Sequence, residues 1–254
     1  MTKAFGIDVS RHDGLLDYTK LAARRPRVVF MGFRATISWG YRDPFFAVNW
    51  VPAAGLGIAR MAYHVVYPAE NPLRQVDNLF AQIGSVFTDR DGIVLDVELE
   101  SGAHDVPVRV YTATVRRMAD LIRARTGRLP ILYSRAEFID RRLDYRELRD
   151  LDLWLAAYLR AIPELGYANE HPGPPPLPRG ADDWLIHQTG DKTPNICATS
   201  GKAYQDYNRW NGTEEDVRRY FGIDAPPDTP DLERRVAAIE ARLDKIETKL
   251  EDCK

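Results

Sequence analysis

The sequence has few of the residues and patterns that define several protein classes. Its 254 residues include only two cysteines, Cys197 and Cys253, which lie far apart and outside any metal-ligand spacing. Neither a disulfide framework nor a zinc site is therefore indicated. The formal net charge is −2 and the basic residues are scattered. This argues against a nucleic-acid-binding surface, because neutralising phosphates requires clustered Lys and Arg.

Long apolar runs are also lacking. No stretch approaches the ~20 apolar residues that a membrane-spanning helix needs. The N-terminal "MTKAFGIDVS" lacks the basic region, apolar core and small-residue cleavage site of an export signal. We therefore expect synthesis in the cytoplasm without a signal peptide, and no membrane association. A hydrophobic content of 44% is sufficient for a large core in one or two domains.

Short apolar segments alternate with helical patterns along most of the chain. Apolar spacing predicts helices within 71–87 and 106–127, and a capping box at Thr213 predicts a short third helix. This alternation is typical of a parallel sheet. After Tyr158 a Pro- and Gly-rich stretch interrupts the alternation, so we expect the last strands to lack intervening helices. The strand candidates are 5–10, 28–35, 58–66, 92–99, 129–134, 151–158, 183–189 and 203–210.

The stretch "GIVLDVELE", residues 92–100, combines a strand pattern with three acids. Because side chains alternate along a strand, Asp96 and Glu98 should share one face, with Cα atoms about 6.6 Å apart. At ~6 Å and an effective dielectric near 20, their charges repel by about 3 kcal/mol, roughly two pKa units. One carboxyl group should then stay protonated near neutral pH, as a glycosidase requires. The triplet also fits a divalent-metal site for phosphoester hydrolysis, or an exposed edge without function.

Polar residues near the ends of other strand candidates favour a functional interpretation. Active sites of parallel α/β barrels are built where the strands end. Because Tyr63 and His64 are adjacent in one strand, one of them must face away, and we expect His64 to be a packing residue. The polar positions are Asp8, Arg34, Tyr63, His64, Tyr133, Tyr158 and Asp206.

Several motifs in a fixed order resemble those of the family 25 glycoside hydrolases, the Chalaropsis-type lysozymes, over residues 5 to about 222. They are "GIDVSRHDG", "FRAT" followed by "DPFF", "AGLGIARMAYHVV", "LDVELE", "ILYS", "LWLAAY", "WLIHQTG" and "YQDYNRWNG". The resemblance implies an α/β fold, an irregular (β/α) barrel whose last strands lack helices. It also implies hydrolysis of the β-1,4 bond between N-acetylmuramic acid and N-acetylglucosamine in peptidoglycan, with no metal or organic cofactor.

The resemblance also implies roles for individual residues. Glu98 matches the proton donor, and Asp96 matches the partner that orients or stabilises the 2-acetamido group or the intermediate. Since the leaving oxygen must be protonated, we expect Glu98 to have the raised pKa while its neighbours stay ionised. We expect Trp154 to lie in the core. The remaining predicted site residues are the acids Asp8 and Asp206 and the substrate contacts Arg34, Tyr63, Tyr133, Tyr158 and Trp184.

The C-terminal region has a different composition. A Pro-rich linker at 224–231 separates the predicted catalytic region, 1–223, from a heptad pattern at 232–254. Arg and Lys at the g positions face Glu at the following e positions only in a parallel arrangement, which predicts a parallel homo-oligomer. The alternative is an amphipathic helix folded back on its own domain. The seam residues are Leu232, Val236, Ile239, Leu243, Ile246, Leu250 and Cys253.

The leading functional hypothesis is a muramidase acting on bacterial cell walls. A chain without an export signal fits a phage lysin or a component of a phage particle. The competing hypothesis is a catalytically silent barrel that binds glycan or serves as a scaffold, oligomerised by its C-terminal helix. The set of four acids argues against this alternative, because a barrel without activity has no physical reason to keep buried charges together.

Overall fold

The computed structural model describes residues 3–98, 106–159 and 173–223. The strands are β1 (Phe5–Val9), β2 (Val28–Ile37), β3 (Tyr41–Arg42), β4 (Ala59–Val65), β5 (Gly92–Asp96), β6 (Ile131–Ser134), β7 (Leu153–Ala156), β8 (Ile186–Pro194) and β9 (Tyr204–Trp210). The helices are α1 (Tyr18–Ala23), α2 (Phe46–Gly55), α3 (Pro72–Ile83), α4 (Val108–Thr126), α5 (Ala136–Arg142) and α6 (Glu214–Phe221).

Eight of these strands form a closed barrel. Each is hydrogen bonded to the next in the order β1, β2, β4, β5, β6, β7, β8, β9, and β9 pairs back onto β1. The short β3 extends the end of β2 as a hairpin. All neighbours are parallel except β9, which runs antiparallel to both β8 and β1. In the described residues no helix separates β8 from β9, so the predicted irregular α/β barrel is confirmed.

Alternation along the strands produces two apolar layers. The inner layer fills the barrel, and the outer layer lies between the barrel and helices α2, α3 and α4. Neighbouring residues of one strand therefore belong to different layers, as period-two geometry requires. Inner-layer residues include Phe30, Met61, Val94, Ile131 and Ile186, whereas Ile7, Met31, Phe33, Leu95 and Leu132 belong to the outer layer.

Most predicted elements are present, with shifted ends. Helix α6 has the predicted capping box between Thr213 and Asp216, and α4 ends at Gly127 with a left-handed φ of 75°. Strand β5 ends at Asp96, three residues before the predicted end. Helices α1, α2 and α5 were not predicted. These helices are short, and α2 contains Pro52, which weakens the sequence signal for a helix.

Helix α6 closes one end of the barrel. Its Val217 and Phe221 are fully buried within the inner layer. Packing is tight enough that a Cβ atom on Gly92, the first residue of β5, would lie 2.9 Å from the Phe221 ring. The open end is therefore at the carboxyl ends of the parallel strands.

None of the helices within the described residues is long and apolar enough to cross a bilayer. The predicted linker and coiled coil both lie outside the described residues.

Candidate active site

A cavity of about 250 Å³ opens at the carboxyl ends of the parallel strands. All four predicted acids line it, together with three of the five predicted substrate contacts. Sites in parallel barrels form at this end because the strand ends and following loops converge there. The lining residues are Asp8, Tyr63, Val94, Asp96, Glu98, Tyr133, Arg135, Trp154, Tyr158, Gln188 and Asp206.

Asp96 and Glu98 enter the cavity from the end of β5. Asp96 is the last residue of the strand and is 7% exposed, whereas Glu98 follows the strand and is solvent-exposed. Leu95 precedes Asp96, and Val97 lies between the two acids. Both residues are buried in the outer layer. The predicted shared face of the two acids is therefore confirmed, and the two carboxyl groups lie at different depths.

Burial raises the pKa of Asp96 well above its usual value, and the charges of Glu98 and Asp8 raise it further. Its Oδ1 atom has no hydrogen-bond partner among the described residues. Desolvation by the surrounding protein also raises the pKa of Glu98. The charge of Arg135 lowers this pKa, and the charge of Asp8 raises it. The expected rise in the pKa of Glu98 is therefore confirmed, whereas the expectation that its neighbours stay ionised is wrong, because burial raises the pKa of Asp96 as well. Asp96 is the more deeply buried acid, so it has the stronger tendency to hold a proton.

A hydrogen-bonded network fixes the third acid, Asp8. Gln188 Nε2 and Asn208 Nδ2 donate to Asp8 Oδ2 over 2.9 and 2.8 Å. Tyr133 Oη in turn donates to Gln188 Oε1 over 2.7 Å, and Trp154 Nε1 donates to Asn208 Oδ1 over 2.9 Å. Each amide is thereby held with its nitrogen toward Asp8. Burial raises the pKa of Asp8, while both amide donors lower it.

Asp206 lies directly opposite Asp8 in the antiparallel pairing of β9 with β1. Burial and the charge of Asp8 raise the pKa of Asp206 to about 9, against an opposing effect of Lys202. Like charges at directly opposed strand positions repel. A proton on Asp206 relieves that repulsion.

A glycine is required beneath this site. A Cβ atom on Gly32 of β2 would lie 2.7 Å from the Trp154 ring and 3.1 Å from Asp8 Cβ. Trp154 is 2% exposed, belongs to the inner layer and also lines the cavity. The predicted core position of Trp154 is therefore confirmed. Its indole forms part of the cavity floor. Any residue larger than glycine at position 32 would displace this indole.

Arg34 does not line the cavity. Its Nε donates to Asp43 Oδ2 over 2.9 Å, and Asp43 also accepts from the backbone amides of Arg11 and Phe45. The guanidinium charge nevertheless lowers the pKa of Asp96. Arg34 is therefore paired with Asp43 and acts on Asp96 electrostatically.

The prediction that Trp184 contacts substrate in this cavity is wrong. Trp184 precedes β8 and lies at the closed end of the barrel, opposite the cavity. It is 7% exposed, with Lys3 4.5 Å from its ring centroid and His187 packed at its edge. The ring therefore packs within the fold at the amino end of its strand.

His64 faces away from the cavity, as predicted. It is fully buried in contact with Thr36 Oγ1 at 2.6 Å and Gln75 Oε1 at 3.2 Å. Burial lowers its pKa to about 4. Cys197 is likewise a buried free thiol. The described residues contain no group of His, Cys, Asp and Glu arranged to hold a metal ion.

Sequence analysis missed three side chains that line the cavity or donate to Asp8. Arg135 directly follows "ILYS", Gln188 lies within "WLIHQTG", and Asn208 follows Asp206 by two positions. Period-two alternation from Asp206 would have placed Asn208 on the same face. No comparable signal identifies Arg135, because it follows the end of β6.

Residues 7–194 match the family model for glycosyl hydrolases family 25. The chain belongs to this family. Over 228 residues it is 28% identical to the uncharacterized protein YegX of Escherichia coli O6:H1, covering 89% of this chain and 75% of that protein. Two solved structures share the fold. One is the bacterial lysozyme from Streptomyces coelicolor, with a TM-score of 0.73 and 22% identity over 88% of this chain and 99% of that chain. The other is the CTP1L endolysin, with a TM-score of 0.66 and 17% identity over 88% of this chain and 71% of that chain.

Proposed function

We propose that this family 25 protein is a lysozyme that hydrolyses the β-1,4 bond between N-acetylmuramic acid and N-acetylglucosamine in peptidoglycan, with Glu98 as the general acid. The observation that carries the proposal is the position of Glu98. It is exposed at the mouth of an acid-lined cavity and has a raised pKa. A general acid needs both features, because it must reach the leaving oxygen and hold a proton at working pH.

We assign the other acids of the cavity different roles in the reaction. Positive charge develops on the sugar ring in the transition state, and a fixed negative group stabilises it. We assign this role to Asp8, because its two amide donors favour the charged form and oppose the rise in pKa that burial causes. Asp96 is suited to contact the 2-acetamido group, since its Oδ1 has no partner among the described residues.

The aromatic residues of the cavity suit a sugar substrate. Tyr63, Tyr133 and Tyr158 line the same space as the acids. Apolar ring faces with polar edges pack against sugar rings and hydrogen bond to their hydroxyl groups. We infer that these residues hold the glycan strand.

We further propose that the protein acts on the bacterial cell wall, as a phage lysin or a component of a phage particle. One observation supports this proposal. The chain shares its fold with the CTP1L endolysin.

The function is tested on purified peptidoglycan with wild-type protein, Glu98→Gln and the exposed control Glu147→Gln. Wild type and the control should release fragments with muramic acid at the reducing end, identified by mass spectrometry. Glu98→Gln should lower kcat by about 10²- to 10⁴-fold, the usual contribution of general acid catalysis. Its melting temperature should remain close to that of wild type.

Three results would contradict the proposal. Undiminished digestion by Glu98→Gln would remove Glu98 from its role. N-acetylglucosamine at the new reducing ends would show that a different bond is cut. Binding of wild type to peptidoglycan without cleavage would identify a glycan-binding barrel.

A further inference from the structure

Arg135 is a positively charged side chain in an acid-lined cavity. It follows β6 directly, is solvent-exposed and lines the cavity with Glu98 and Tyr158. Its guanidinium carbon lies 5.5 Å from the centroid of the Tyr158 ring. Among the described residues that line this cavity, Arg135 is the single cation.

The guanidinium group of Arg135 interacts with the Tyr158 side chain but forms no ion pair with a carboxylate of the described residues. Arg34, by contrast, is paired with Asp43 over 2.9 Å. Within the described ranges, no carboxylate lies within ion-pair distance of Arg135. The contact with Tyr158 restrains the guanidinium plane, and arginine presents paired N–H donors that match the two oxygens of a carboxylate.

We propose that Arg135, held against Tyr158, binds a carboxylate of the substrate at the mouth of the cavity and gives the enzyme a preference for glycan strands that bear this group. This inference rests on the proposed function. A peptidoglycan strand offers the carboxylate from two sources. One is the lactyl group of muramic acid where no peptide is attached, and the other is the stem peptide.

A purely electrostatic role for Arg135 predicts a different pattern. Its charge lowers the pKa of Glu98, and this effect operates whatever substrate is bound. Loss of the charge would then shift the pH profile equally for charged and neutral strands. Recognition of a carboxylate instead makes the effect of Arg135 depend on the charge of the substrate, so the two roles are separable.

The test combines two enzyme forms with two substrate forms. Wild type and Arg135→Met are assayed on peptide-free glycan strands with free lactyl carboxylates, and on the same strands after amidation of those carboxylates. On free strands Arg135→Met should raise KM roughly ten- to hundredfold, the value of a charge-assisted hydrogen bond, with kcat at the pH optimum of each form nearly unchanged. Wild type should show a similar KM increase on amidated strands. Arg135→Met should show no further increase there.

Two further variants complete the design. Arg135→Lys keeps the charge but loses the paired donors, so its KM on free strands should lie between those of wild type and Arg135→Met. Arg219→Met removes an exposed arginine of α6, outside the cavity, and should match wild type on both substrates. Melting temperatures show whether each variant is folded, and Arg135→Lys keeps the test usable if Arg135→Met is not.

Intact peptidoglycan distinguishes the two sources, because its lactyl groups are consumed in amide bonds to the peptide. If the charge-dependent effect of Arg135 appears on stripped strands, the lactyl group is the ligand. If it appears only on intact peptidoglycan and disappears when the peptide carboxylates are amidated, the stem peptide is the ligand. Equal KM increases on free and amidated strands, or no increase on any substrate, would overturn the inference.

Failure of the proposed function would be recognised separately. Wild type would then release no reducing ends from any of these substrates. Cosedimentation of the same variants with free and amidated strands would still measure carboxylate binding by Arg135, with the same pattern of dissociation constants expected.

Discussion

The side-chain amide of Gln188 donates a hydrogen bond to the Asp8 carboxylate over 2.9 Å. The opposite end of this amide accepts from the Tyr133 hydroxyl, so its orientation is fixed. Asp8 therefore accepts hydrogen bonds within the protein, whereas Asp96 lacks a partner at Oδ1 among the described residues.

Gln188→Leu should destabilise the fold by about 1–3 kcal/mol, because it leaves the buried Tyr133 hydroxyl without its acceptor and removes one of the two donors to Asp8. It should also raise the pKa of Asp8, since one donor that favours the charged form is lost. If Asp8 works as a carboxylate, the acidic limb of kcat/KM moves to higher pH. Chemical denaturation and a pH–rate profile measure the two effects.

Gln82→Leu is the matched control for this prediction. Gln82 also donates to a single acceptor, the backbone carbonyl of Asp43, and lies outside the cavity. The control should lose some stability but keep the pH profile of wild type. An acidic limb of Gln188→Leu that coincides with wild type would exclude a role for the Gln188 hydrogen bond in the charge of Asp8.

Asp206→Asn should stabilise the protein increasingly as the pH rises. The pKa of Asp206 is raised from 3.8 to about 9 by burial and the charge of Asp8. Between these values the folded state retains a proton that the unfolded chain loses, so the contribution of this group to stability falls with rising pH. Asparagine does not titrate and avoids that loss. The gain at the upper end of the window should be on the order of 1–3 kcal/mol.

Thermal unfolding at several pH values between 5 and 9 measures this gain. Asp120→Asn makes the same charge change on a side chain that is 53% exposed. Its difference from wild type should stay small and flat across the range. A constant difference for Asp206→Asn over the whole range would show that Asp206 is already ionised in the folded protein. We also expect Asp206→Asn to lose activity. Acids that are clustered for function reduce the stability of the fold, so removing one of them should increase stability and decrease activity.

Period-two alternation was enough to predict that Asp96 and Glu98 share a face. It was not enough to order their pKa values, because that order depends on where β5 ends. The strand stops at Asp96, so one acid is buried and the other is exposed only two residues later. Sequence patterns locate strand ends poorly, because the last residues of a strand and the following loop have similar composition.

The error at Trp184 has a different cause. A residue can belong to a strand motif and still lie at the wrong end of the barrel. Trp184 stands before the apolar residues of its strand, whereas Tyr133 stands near the end of its own strand. The direction of the chain therefore separates the two positions. The antiparallel direction of β9 could not be predicted from the sequence either, because alternation shows which residues share a face but not the direction of the strand.

The heptad pattern at 232–254 supports a prediction about assembly. We expect the full-length protein to form a parallel homo-oligomer and a protein ending at residue 223 to be monomeric. Light scattering coupled to size exclusion measures both masses. Multivalent attachment should also increase retention on the polymeric substrate relative to the shortened protein. If both proteins are monomers, the alternative of a helix folded back on its own domain is favoured.

The closure of β1 by β9 has a consequence for the order of events during biosynthesis. Asp8 finds its two amide donors 180 and 200 positions downstream. While the ribosome is still translating the middle of the chain, the first strand has no partner on one side and the acid has neither donor. Contacts of such long range form late and slowly. A prematurely terminated product therefore lacks an assembled catalytic centre, and degradative activity arises only when translation of the barrel is complete.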